Sequence, residues 1–111
     1  MATNKKDLFT EQEQKAADFA RVLSHPARIA ILDKLALEHK CVCGQIVEVL
    51  PLAQSTVSQH LKELKAAGLI QGEIEGAASC YCINWDNLEK QFDNFQKLFE
   101  DLKKQKSISC C

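Results

Sequence analysis

The residues with most chemistry to offer are six cysteines in three close pairs: Cys41 and Cys43, Cys80 and Cys82, Cys110 and Cys111. A thiolate is a nucleophile, a redox centre and a soft metal ligand. A disulfide inside any one pair would close a very small loop and strain the bridge, so the clustering argues against structural cross-links within the pairs. What remains is soft-ion binding, redox chemistry, or cysteines that are simply small buried residues. A thiol enzyme acting on an oxyanion would need an anion-holding loop. No Cys-x5-Arg loop and no Gly-rich loop before a helix is present, and both arginines, Arg21 and Arg28, precede every cysteine. The pattern therefore speaks against an enzyme.

A second chemistry-bearing group is polar. On a helix, Gln54, Ser55, Ser58, Gln59 and Lys62 share the face opposite Val57, Leu61 and Leu64, and Thr56 lies in the same opening turn. Glutamine reads adenine with two hydrogen bonds, serine and the amides of a helix start suit phosphates, and Lys62 and Lys65 add positive charge. An ordinary amphipathic helix with a solvated face would show the same pattern, so its setting has to decide. His60 is counted with this nucleic-acid-reading set, with a satisfied surface histidine as the alternative.

These groups must be positioned by one domain. The chain has 111 residues, 46% of them hydrophobic and 26% charged, enough for one core and too few for two ordinary domains. A net charge of -1 excludes a polybasic mode of nucleic-acid binding but allows a locally basic face. No apolar run approaches the roughly 20 residues of a membrane span, and the start is polar, so a cytoplasmic protein without a membrane partner is expected. Four Gly and two Pro favour helices over a turn-rich β fold.

The periodicity predicts a helix over 10–23 with a Thr10 cap, and a second from Pro26 to Leu37. A short third helix is predicted over 43–50, stopped by Pro51, and a fourth over 54–67, stopped by Gly68. Two short strands joined by a Gly-containing turn follow, with Cys80 and Cys82 on one face and Tyr81 and Ile83 on the other. Over 86–104, Leu88, Phe92, Phe95, Phe99 and Leu102 recur at spacings of four and three, a seam that asks for a partner helix and marks a dimer interface. Residues 1–111 are thus one mainly α domain with a small β hairpin, a winged helix-turn-helix dimerised through terminal helices. Its core runs over 10–84 with the wing at 69–84, the dimer helix over 86–104, and a flexible cysteine-bearing tail over 105–111. In such a fold the second helix of the motif enters the major groove and the hairpin lies along the backbone.

At this point the chain resembles the ArsR/SmtB family of metal-responsive repressors over roughly residues 19–84. The likeness is carried by Leu-Ser-His-Pro-Ala-Arg-Ile-Ala-Ile-Leu at 23–32, Cys-Val-Cys-Gly at 41–44, Gln-Ser-Thr-Val-Ser-Gln-His-Leu-Lys-Glu-Leu at 54–64, Ala-Gly-Leu-Ile at 67–70 and the run from Gly76 to Asn84. The resemblance implies a homodimer on double-stranded, inverted-repeat operator DNA. It also implies release when As(III) or Sb(III) binds thiolates, here in an arsenic-resistance operon. Cys41 and Cys43 match the family's metalloid signature at the start of a helix. There, residues two apart point about 200° apart, so one soft ion holds both sulfurs, with bonds near 2.3 Å, only if the helix start unwinds. Binding would in that way bend the support of the reading helix.

The chain also departs from the pattern. Ile46 stands where arsenic-binding relatives commonly carry a third cysteine, so Cys110 and Cys111 become candidate ligands, with Cys80 and Cys82 behind them. A two-thiol site also suits a methylated arsenical. Cd(II), Pb(II), Zn(II) or a redox or persulfide switch are the alternative inputs for the same DNA module. The last helix lacks the His and Asp ligands of zinc-sensing relatives. Ala53 replaces a common capping Ser, and the wing tip lacks a common Arg after Gly76, which predicts a weaker wing contact and a shallower salt dependence.

Overall fold

The computed structural model describes residues 8–38, 42–43, 50–72 and 80–106, with Val42 and Cys43 described by their backbone alone. The order is α1 (Glu11–Val22), α2 (Pro26–Leu37), β1 (Val42–Cys43), α3 (Gln54–Ala66), β2 (Ile70–Gly72), β3 (Cys80–Ile83) and α4 (Trp85–Lys104). The expected third helix over 43–50 falls mostly outside the described residues. Where it can be compared it differs: Cys43 belongs to a strand rather than a helix start, and Leu50 lies in a bend.

Local signals set the helix ends. Thr10 and Glu13 form a reciprocal capping box: the Glu13 amide donates to Thr10 Oγ1 at 3.1 Å and the Thr10 amide donates to Glu13 Oε1 at 2.8 Å. Pro26 occupies the opening of α2, where its missing N–H costs nothing, and the Ala27 amide donates to His25 Nδ1 at 3.0 Å. After α3 the chain turns at Gly68, whose φ of +80° is a left-handed conformation that glycine adopts without strain. Asn87 of α4 locks that turn by donating from Nδ2 to the Gly68 carbonyl at 2.7 Å, and Gln91 Nε2 donates to the Ala67 carbonyl at 3.0 Å.

The three strands form an antiparallel sheet in the order β1-β3-β2. The expected hairpin is present as β2 and β3, paired Ile70 to Ile83, Gln71 to Cys82 and Gly72 to Tyr81. β1 adds a third strand, pairing Val42 with Tyr81 and Cys43 with Cys80. The core lies between α1, α2, α3 and this sheet, with Ile31, Val57, Leu61, Leu64, Leu69 and Ile70 fully buried. Each such side chain contributes roughly 1.5–3 kcal/mol relative to exposure. Only Asn84 separates β3 from α4; its amide donates to the Leu69 carbonyl at 3.0 Å and its Oδ1 accepts from the Asn87 amide at 3.2 Å.

The α4 seam divides. Leu88 and Phe95 pack toward the core, with the Phe95 ring 5.7 Å from that of Phe19 on α1. Phe92, Phe99 and Leu102 stay exposed. α1 therefore covers part of the stripe, and the stripe's other three residues face outward. No helix among the described residues is long and apolar enough to cross a membrane.

Candidate nucleic-acid interface

α3 presents two opposed faces. Val57, Leu61 and Leu64 are sunk in the core, which fixes the helix against α2 and β2. Gln54, Ser55, Thr56, Gln59, Lys62 and Lys65 are exposed on the other side, with Ser58 half-buried. Gln59 is steadied by Glu63, to which its Nε2 donates at 3.2 Å. The residue before the helix, Ala53, supplies no side-chain acceptor to the first-turn amides. An external acceptor such as a phosphate oxygen suits a helix start of this kind.

His60 takes a different place from the groove-facing one that the sequence admits. It is buried on the inner face of α3, where Arg28 Nε donates to its Nδ1 at 3.1 Å, and its ring lies 4.4 Å from that of His25. Because Nδ1 accepts, the proton of the neutral ring sits on Nε2, a buried atom without a hydrogen-bond partner among the described residues. Burial holds the His60 pKa below the ordinary histidine value, the positive ends of His25 and Arg28 add to this, and Glu63 opposes it. His60 is thus a neutral strut between α2 and α3. Arg28, which the sequence did not mark as a partner of His60, is its counterpart and also donates from Nη1 to the Val22 carbonyl at 3.1 Å. The signal for His60 was present: it sits three residues after Val57 and four before Leu64, on the apolar stripe.

Of the cysteines, Cys80 and Cys82 are half-buried on β3 and alternate with the buried Tyr81 and Ile83. They are not a free dithiol. Cys80 is disulfide-bonded while Cys82 is a free thiol, toward which Gln71 Nε2 is directed at 3.8 Å. Cys43 stands directly opposite Cys80 in the β1–β3 register. Cys41, Cys110 and Cys111 lie outside the described residues, as does the wing tip at 73–79. Among the described residues no group of three or more His, Cys, Asp or Glu side chains could hold a metal ion.

Residues 25–71, which span α2 to β2, match the bacterial regulatory protein arsR family. The chain is 44% identical over 66 residues to the HTH-type transcriptional repressor SmtB of Mycobacterium tuberculosis (strain ATCC 25618 / H37Rv), covering 60% of this chain and 48% of SmtB. It thus spans about half the length of that relative. It is 36% identical over 81 residues to the HTH-type transcriptional regulator MJ1325 of Methanocaldococcus jannaschii, covering 72% of this chain and 90% of the relative. In three dimensions it superposes on an ArsR-like transcriptional regulator from Rhodococcus sp. RHA1 with a TM-score of 0.66 at 20% identity, over 86% of this chain and 90% of the other, which supports the winged fold. The exposed polar face of α3, its anchoring in a helix-turn-helix core and the matches over that same stretch lead to one assignment: the chain belongs to the ArsR/SmtB family of winged helix-turn-helix transcriptional regulators.

Proposed function

We propose that this protein is a homodimeric repressor of an arsenic-resistance operon, which binds inverted-repeat operator DNA through α3 and leaves it when As(III), Sb(III) or an organoarsenical binds cysteine thiolates. The observation that carries the DNA half is the two-faced α3. Its inner side is fixed in the core, so its outer row of Gln54, Ser55, Ser58, Gln59, Lys62 and Lys65 is held as one rigid hydrogen-bonding surface. Thr56 belongs to its opening turn. Dimerisation through α4 is supported by the exposed Phe92, Phe99 and Leu102, which leave apolar surface for a second copy.

The inducer half rests on donor chemistry. Thiolates select soft, thiophilic ions, and Cys41 and Cys43 are the first pair to test, with Cys110 and Cys111 next and Cys80 and Cys82 last. Protonated thiols must lose their protons to bind, so release should weaken at low pH. A gel-shift titration of operator DNA with arsenite, antimonite, methylarsenite, cadmium and zinc, run on the parent and on single Cys→Ser variants, tests both halves. Retained DNA that arsenite releases from the parent, but not from Cys41→Ser or Cys43→Ser, is the expected result. Equal release from all variants would sink the metalloid reading.

A second reading keeps the DNA module and makes the input Cd(II), Pb(II) or Zn(II), or a thiol redox or persulfide change. The disulfide at Cys80 favours the redox member of that set. Cadmium and zinc in the same titration, and mass spectrometry after peroxide or persulfide treatment, separate these inputs.

A further inference from the structure

Two observations about the sheet converge on a pairing of cysteines from different pairs. The first is register: Cys43 of β1 is the direct partner of Cys80 on β3. Residues directly opposite one another in an antiparallel pair project to the same face with Cα atoms about 4.5–5.5 Å apart, within the 4.4–6.8 Å or so that a disulfide spans. The second is chemical state: Cys80 is disulfide-bonded, and its neighbour two residues along the strand, Cys82, is not. On its β2 side Cys82 is opposite Gln71, which has no sulfur to offer. The β1–β3 register thus sets a cysteine directly across from the β3 cysteine that is bonded.

We propose that Cys43 and Cys80 are the two halves of one reversible cross-strand disulfide, a redox modification site that ties the strand before the reading helix to the wing. The oxidant is a hydroperoxide. One thiolate attacks the peroxide oxygen, the O–O bond breaks, and a sulfenic acid forms as the other peroxide oxygen leaves, as water from hydrogen peroxide or as an alcohol from an organic hydroperoxide. The second thiolate then attacks that sulfur, an S–S bond forms and the sulfenic oxygen departs as water. Two thiols lose two electrons and two protons in total, and the peroxide gains them. A small dithiol reverses the step by exchange.

The bond would close a loop that contains the whole of α3 and β2. It would also consume Cys43 as a thiolate. This second consequence rests on the metalloid reading above: the oxidised protein would stay on operator DNA at an arsenite concentration that releases the reduced protein.

The test is a disulfide map of the full chain after treatment with about one equivalent of hydrogen peroxide per pair. Tandem mass spectrometry of tryptic peptides should find Cys43 joined to Cys80, with Cys82 still alkylated by iodoacetamide. A variant in which Cys41, Cys82, Cys110 and Cys111 are all Ser should lose both remaining thiols and stay monomeric on a non-reducing denaturing gel. Cys80 joined to Cys41, Cys110 or Cys111 in the full chain would overturn the proposal. So would over-oxidation of both thiols in the variant without a bond, or a bond formed only between chains. Arsenite titration of the reduced and oxidised full chain is read separately. Failure of arsenite to release the reduced protein overturns the metalloid reading while a mapped Cys43–Cys80 bond stands.

Discussion

Arg28 Nε and His60 Nδ1 meet at 3.1 Å, so α3 is held to α2 by a hydrogen bond on the side away from its exposed polar row. This contact requires the neutral ring, because a doubly protonated imidazole has no acceptor for the guanidinium. The depressed pKa of the folded state means that the unfolded chain binds a proton first on acidification. Stability from this group is therefore full above the ordinary value of 6.5 and is lost as pH falls from there through the lower folded-state value. Urea midpoints measured across this range should fall on the acid side, and His60→Asn, which does not titrate, should flatten that limb. An unchanged slope in the variant would show that another group carries it.

Arg28→Ala should destabilise the fold by about 1–3 kcal/mol, because it leaves the buried His60 Nδ1 and the Val22 carbonyl without their donor. Chemical denaturation at pH 7.5 or so, where the histidine is already neutral, reads this loss apart from any titration.

Ala53→Ser should stabilise by about 0.5–2 kcal/mol. The backbone at Ala53 already has the extended cap conformation, φ -64° and ψ 148°, and no side chain there accepts from the first turn. A higher urea midpoint with an unchanged slope is the expected outcome.

Two left-handed glycines among the described residues, Gly68 and Gly72, should differ in their response to Ala. At Gly68 a Cβ would meet the end of the Asn87 side chain, which can rotate away at the cost of its bond to the Gly68 carbonyl. At Gly72, with φ +127°, it would overlap the Cys80 carbonyl, which is backbone and cannot. Gly68→Ala should cost about 1–2 kcal/mol, whereas Gly72→Ala should cost more and loosen the β2–β3 pairing. Comparable thermal melts for the two variants would contradict this.

On operator DNA, Lys62→Ala and Lys65→Ala should weaken binding to all sequences alike, and each should lower the salt slope by about one if it meets a phosphate. Gln59→Ala should instead narrow the gap between operator and mismatched DNA, by about 1–3 kcal/mol for a lost base contact. Fluorescence anisotropy at several salt concentrations separates the two behaviours.

What the sequence revealed, it revealed through local rules. Thr10 with Glu13, His25-Pro26 and Gly68 each end or begin a helix by chemistry contained within a few residues, and each marks the boundary of an element in the fold. The polar row of α3 was legible from periodicity alone. β1 was not, because a strand of two residues has no periodicity of its own and exists through pairing with β3, far along the chain. The same distance hid the Cys43–Cys80 juxtaposition, since grouping cysteines by closeness in sequence puts these two in different pairs. The inner place of His60 was legible from its position on the apolar stripe, but its partner was not, because Arg28 is set against it by the tertiary fold.

The single residue Asn84 between β3 and α4 gives the molecule a short mechanical lever. A helix of 20 residues is about 30 Å long, so a tilt of about 5° at its root carries the far end roughly 2–3 Å. Phe99 and Leu102 ride at that far end, while the root is pinned to the Leu69 carbonyl and caps its own first turn. In the homodimer proposed above, such a tilt would shift one subunit along the groove relative to the other.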